Sequence, residues 1–171
     1  MIFLSLVLSN LTEAASAVEI DAKVNAELKN IYKEFDAAKQ LSRKSEGILV
    51  FPSVIKAGFG IGGEYGEGAL RINGKTVDYY NTASASIGFQ IGAQSKTLIL
   101  MFMSKKALQN FRNSDGWEVG VDGSVAIASF GAGGSLDSNT LKKPIIGFVF
   151  NNKGLMYNLT LEGSKITRIK K

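Results

Sequence analysis

Ser53 and Lys56 form an S-x-x-K pair, the opening motif of serine acyl-enzymes. The companion motifs S-D-N and K-T-G are absent, so the pair alone does not define a nucleophile and its base. Gly58, Gly60 and Gly63 match G-x-G-x-x-G. A dinucleotide site needs that motif between a strand and a helix, and here the glycines run on towards an Asn-Gly hairpin. Glu64, Glu67, Asp78, Asp115, Asp122 and Asp137 could do acid–base work, but their spacing pairs no two of them. The chain has no cysteine and no histidine. Thiol chemistry, thiolate metal sites and the commonest general base are therefore excluded. No cofactor or metal is expected, and no nucleic-acid-binding signature is present. The reading is of a chain that is not an enzyme.

Charge is the more informative chemistry. The net charge is +5 over 171 residues. Residues 1–100 hold ten basic and ten acidic side chains, and residues 101–171 hold ten basic and five acidic. The whole excess lies in the second part, a bias that favours anionic partners such as phospholipid headgroups. At 45% hydrophobic and 20% charged, the composition is globular, with length for one real core.

These side chains need a scaffold. Residues 1–17 read as an export signal, possessing a short apolar run and Ala15-Ser16-Ala17 as an A-x-A cleavage site, without a basic n-region. That leaves 18–171 as a single domain. Val24, Leu28, Ile31, Phe35, Ala38 and Leu41 alternate at spacings of four and three, predicting one helix over 21–44 with Asp21 as its cap and Gly47 as its stop. The outer side carries Lys23, Lys29, Lys33, Lys39, Arg43 and Lys44, mixed with Glu27, Glu34 and Asp36.

Strands follow. Gly47–Phe51 reads as a short strand ended by Pro52. Gly58, Gly60, Gly62, Gly66 and Gly68 share one parity, so they would leave one sheet face nearly bare, for strong coiling or for a groove that something fills. Asn73-Gly74 predicts a two-residue hairpin. Residues 83–94 read as a long small-residue strand, and 97–103, TLILMFM, as a strand covered on both faces. A short helix is predicted over 105–111, then strands over 119–130, 145–150, 155–163 and 164–169. The fold class is α+β: a strongly curled antiparallel sheet approaching a barrel, with an N-terminal amphipathic helix and one short second helix. Lys56, Glu64 and Asp122 each sit in a glycine-rich apolar run. If buried, they must pair, because an isolated buried charge is very costly.

At KAGFGIGGEYGEGAL, YYNTASASIGFQIGAQ, GVDGSVAIASFGAGGS and NNKGLMYNLTLEGSKI the sequence resembles the SYLF family, also called the Ysc84 actin-binding-domain family. The likeness covers about residues 40–167 and is nearest to the exported bacterial single-domain branch. It implies a lipid-binding module; in the eukaryotic branch such domains bind phosphoinositides, some also bind actin filaments, and the basic N-terminal helix is associated with the lipid. For this chain the expectation is a non-enzymatic domain, periplasmic or membrane-peripheral in a bacterium, that binds anionic phospholipid. The expected contact set is Lys23, Lys29, Lys33, Lys39, Arg43 and Lys44 from the helix, with Lys105, Lys106, Arg112, Lys142 and Lys143. The alternative is a protein-interaction or scaffold module holding an envelope protein.

Overall fold

The computed structural model describes residues 15–57, 63–85, 95–129, 136–152, 154–156 and 159–171. Two helices come first, α1 (Ala17–Glu34) and α2 (Asp36–Lys44). Strands β1 (Gly47–Ala57), β2 (Gly63–Ile72), β3 (Lys75–Ala85) and β4 (Lys96–Phe102) follow. Then come α3 (Lys105–Arg112), β5 (Trp117–Glu118), β6 (Ala126–Ile127) and α4 (Ser138–Leu141). Strands β7 (Ile145–Asn151), β8 (Gly154–Met156) and β9 (Lys165–Ile169) complete the chain.

All nine strands join one sheet in the order β5-β9-β3-β2-β1-β4-β7-β6, with β8 also on β7. Every pairing is antiparallel except that of β6 with β7, so the sheet is mixed. It curls into a half-barrel. The period-2 alternation of side chains sorts its two faces. Leu49, Phe51, Leu98, Leu100 and Phe102 point to the side covered by α3 and the segment around Trp117 and Val119. Val50, Ile99, Met101, Ile146 and Phe148 point to the side covered by Ile20, Val24, Ile31, Ala38 and Leu41 of α1 and α2. The unbroken apolar run of β4 is thus buried on both faces, as its composition requires.

Three expectations are corrected. The helix expected over 21–44 is two helices, because Phe35 takes an extended conformation (φ −129°, ψ 101°) between them. Its cap is Ser16, which accepts from the Glu19 N–H at 3.2 Å. Asp21 is used elsewhere: it accepts from Tyr79 at 2.8 Å and Thr76 at 2.9 Å, and its carbonyl accepts from Arg71 at 3.3 Å. Burial, then the Asp21 carboxylate, hold the Tyr79 phenol above its usual value. Asp21→Ala, which unclips α1 from the β2–β3 hairpin, is expected to cost about 1–2 kcal/mol, read as a lower urea midpoint at unchanged slope.

Pro52 does not end β1. The strand runs through it, and the register with both neighbours shifts there: between Val50 and Ser53 against β2, and between Phe51 and Val54 against β4. A bulge is where a sheet tolerates a residue without an N–H. Over 119–129 the strand expected for 119–130 is replaced by the two-residue β6 and an isolated Val119–Gly123 bridge around a turn.

The bulge also accounts for part of the glycine face. A Cβ on Gly68 would lie 2.0 Å from the Val50 carbonyl oxygen, and one on Gly66 would lie 2.9 Å from that of Ser53. Close approach of the β1 backbone occupies that space, so no groove is left there for a ligand. Gly58, Gly60 and Gly62 lie outside the described residues, as do 86–94. The hairpin forms as expected, with Asn73 at φ 52° and Gly74 at φ 76°.

Candidate functional site

Five of the six carboxylates that might have done chemistry are committed to structure, and the sixth, Asp115, is exposed. Glu64 pairs with Lys96 at 2.8 Å and Glu67 with Lys171 at 2.8 Å. Asp78 lies between Arg112 at 3.1 Å and Arg168 at 3.6 Å. Asp122 accepts from the Glu118 N–H at 2.7 Å, and Asp137 caps α4. The buried cluster of Lys56, Glu64 and Asp122 is not formed: Lys56 and Asp122 are exposed and Glu64 is satisfied by Lys96. Ser53 and Lys56 stand three apart on a continuous strand, so they point to opposite faces and cannot act together. Gly63 opens a strand rather than a helix, which removes the dinucleotide motif's context. Among the described residues no group of acids is placed to hold a metal.

The cations are arranged differently. Gly47 at the start of β1 faces Phe102 at the end of β4, and Phe102 faces Ile145 at the start of β7. The ladder continues outward: the Glu46 N–H donates to Phe102 O and the Met103 N–H to Pro144 O, each at 2.7 Å. Three segments distant in sequence therefore meet at one end of the sheet. Arg43 and Lys44 arrive at the last turn of α2, Lys105 and Lys106 at the first turn of α3, and Lys142 and Lys143 after α4. All six are exposed. Lys75 adds a seventh from the β2–β3 hairpin at the same end, also exposed. Leu141, 48% exposed, stands beside Lys142. Among the described residues the acids nearby are half-buried Glu46, exposed Asp137 and Asp21, whose carboxylate accepts from Thr76 beside Lys75.

The other expected contacts do not join this rim. Lys29, Lys33 and Lys39 are exposed on α1 and α2, and Lys23 borders a cleft on α1. Arg112 is turned to Asp78, where Arg168 also reaches the Arg112 carbonyl at 2.7 Å.

Residues 83–171 match the Ysc84 family, described as Las17-binding protein, actin regulator. The chain belongs to the Ysc84 family. This is the SYLF family indicated by the sequence motifs, a family of binding modules associated with actin and lipid. The match begins within β3, so four of the seven rim cations lie inside it and Arg43, Lys44 and Lys75 lie before it. A search of curated proteins gave no match.

Sequence reasoning missed Lys75, whose signal is its place directly after the Asn-Gly turn. It also missed the cleft. Lys23, Glu27 and Glu34 read from the sequence as part of a solvated face, yet with Asn30 they form one wall of a cavity of about 830 Å3 between α1 and the sheet. Burial there holds the Glu27 carboxyl above its usual 4.5, against a smaller opposite pull from a hydrogen bond with Thr97. The folded state binds that proton more tightly than the unfolded chain. The contribution to stability is full below pH 4.5 and is lost as pH rises through the raised value. Glu27→Gln should therefore melt with the parent protein at about pH 4 and above it at about pH 7, as thermal denaturation will show.

Proposed function

We propose that this chain is a non-enzymatic adhesion module that seats its cationic sheet end on an anionic phospholipid surface, in the envelope of a bacterium after export. The observation that carries this reading is the convergence of cations from α2, α3, the α4–β7 turn and the β2–β3 hairpin on one exposed end. Near an anionic surface each lysine or arginine contributes about 1 kcal/mol. Leu141 among them supplies an apolar side chain to enter the headgroup layer. No described helix is long and apolar enough to cross a membrane. The lipid need only be anionic, since the rim is a set of flexible point charges rather than a closed headgroup pocket.

Co-sedimentation with vesicles tests the reading. Binding is expected to phosphatidylglycerol or cardiolipin vesicles and not to phosphatidylcholine vesicles, and it should weaken steeply between low and physiological salt. Equal binding to the neutral vesicles, or none to either, would sink it. A second reading, an interaction module for an acidic protein, is favoured by the family's description as Las17-binding and actin-regulating. Capture of one envelope protein by the same basic end without lipid would select it.

A further inference from the structure

The cleft beside α1 lies at the other end of the sheet from the cationic rim. Its roof is one flank of α1, where Glu27, Asn30 and Glu34 follow one another at helical spacing. Its floor is the sheet around the β1 bulge, where Thr97 of β4 faces Phe150 of β7 in register. Its far wall is the β7–β8 turn with Asn151 and Asn152. The bulge shapes this floor: the Thr97 hydroxyl donates to the Pro52 carbonyl at 2.9 Å, closing the break in the ladder. A cavity of about 830 Å3 falls within the roughly 300–1,000 Å3 of small-molecule sites.

The lining selects a ligand class by elimination. Small-molecule sites are mostly apolar, and this one is rich in carboxylate, amide and hydroxyl groups. An acyl chain would take the Lys23 ammonium and the Glu34 carboxylate out of water with nothing to replace it, at a cost for each. An anion would meet two carboxylates, Glu27 and Glu34, against one ammonium, Lys23. Carboxylates accept, while amides both donate and accept through planar paired atoms. A ligand that offers many hydroxyls satisfies both kinds at once. The apolar part of the lining is Ala26, Pro52, the edges of buried Ile31 and Ile99, and the ring of half-buried Phe150, which suits the C–H face of a sugar ring.

We propose that the cleft between α1 and the β1 bulge binds a neutral oligosaccharide, with Glu27, Asn30 and Asn151 bonding its hydroxyls and Phe150 under one ring. The site is independent of the lipid rim, and the reading does not rest on it.

The test uses the full chain titrated with cellotriose and with the trimer of N-acetylglucosamine, followed by calorimetry and by amide chemical shifts. Saturable millimolar binding of one trimer is expected, with shifts confined to the cleft residues. Glu27→Ala and Asn30→Ala, both on the flank of α1 that roofs the cleft, should each weaken it about tenfold, the loss of one or two hydrogen bonds. Their vesicle co-sedimentation should stay unchanged, which separates failure of this site from failure of the lipid reading. Absence of saturable binding by both trimers would overturn the proposal, as would unaltered affinity in both variants. So would spermidine or decanoate occupying the cleft while the sugars do not.

Discussion

Gly68→Ala is expected to cost at least about 3 kcal/mol, beyond the usual 1–3 kcal/mol of an overpacked core. The added Cβ would sit 2.0 Å from the Val50 carbonyl oxygen and 2.8 Å from both the Val50 carbonyl carbon and Phe51 Cδ1. Two of these three atoms are backbone, and they belong to β1, which is paired on both sides. No rotamer change relieves the clash. Either the β1 bulge moves or β2 separates from it, and both break the sheet at its centre. With about 5–15 kcal/mol of total stability in a typical domain, the loss should show as insoluble protein or a large fall in the urea midpoint. Gly74→Ala is the control. Its Cβ would meet nothing within 4 Å, but its φ of 76° is unfavourable for alanine. That substitution should cost about 1 kcal/mol and leave the fold intact. A Gly68→Ala protein with the parent's midpoint would show that the bulge is not where the geometry puts it.

The parity of the glycines was legible in the sequence, but its cause was not. A strand of glycines announces close approach without saying of what. Here the approaching group is a neighbour strand deformed by Pro52, sixteen residues earlier. Pro52 itself was misread as a strand end because a missing N–H looks like an interruption, and only the register of two neighbours shows that a bulge absorbs it. The Asn73-Gly74 hairpin and the doubly covered β4 were read correctly, because dihedral preference and hydrophobic pattern are local. The break at Phe35 was hidden for the opposite reason. Phe35, Ala38 and Leu41 continue the row of α1, and after the break they still reach the same core cluster.

The same distinction applies to the site. Ten of the expected cations are lysines or arginines exposed to solvent, and composition named them. Which of them stand together depends on three ladder ends meeting, a long-range fact that spacing does not carry. Arg112 shows the difference. It looks like its neighbours Lys105 and Lys106 in sequence, but at the far end of α3 it meets Asp78 and becomes part of the scaffold. The cleft was invisible for a related reason. The Glu27 flank of α1 reads as solvated until the β7–β8 turn is brought opposite it.

Neutralising the rim should reduce binding to anionic vesicles about a thousandfold. In the quadruple variant Lys105→Gln, Lys106→Gln, Lys142→Gln, Lys143→Gln, four contributions of about 1 kcal/mol are removed together, and each 1.4 kcal/mol is about tenfold. All four side chains are exposed and none forms an ion pair with a described residue, so the fold should be spared, with stability changed by no more than about 0.5 kcal/mol per site. The remaining attraction should also respond less to salt, because fewer charges are screened. Lys29→Gln, Lys33→Gln, Lys39→Gln is the matched comparison: three exposed cations on α1 and α2, with nearly the same change in net charge. If the sheet end is the contact face, this triple variant should lose less than about tenfold, through the general field alone. Leu141→Gln should weaken binding without altering the salt slope, since an apolar anchor contributes by burial and not by charge. The reverse ranking, with the helix variant released from vesicles and the sheet-end variant retained, would place the membrane on the outer side of α1 and α2 and end the case for the rim.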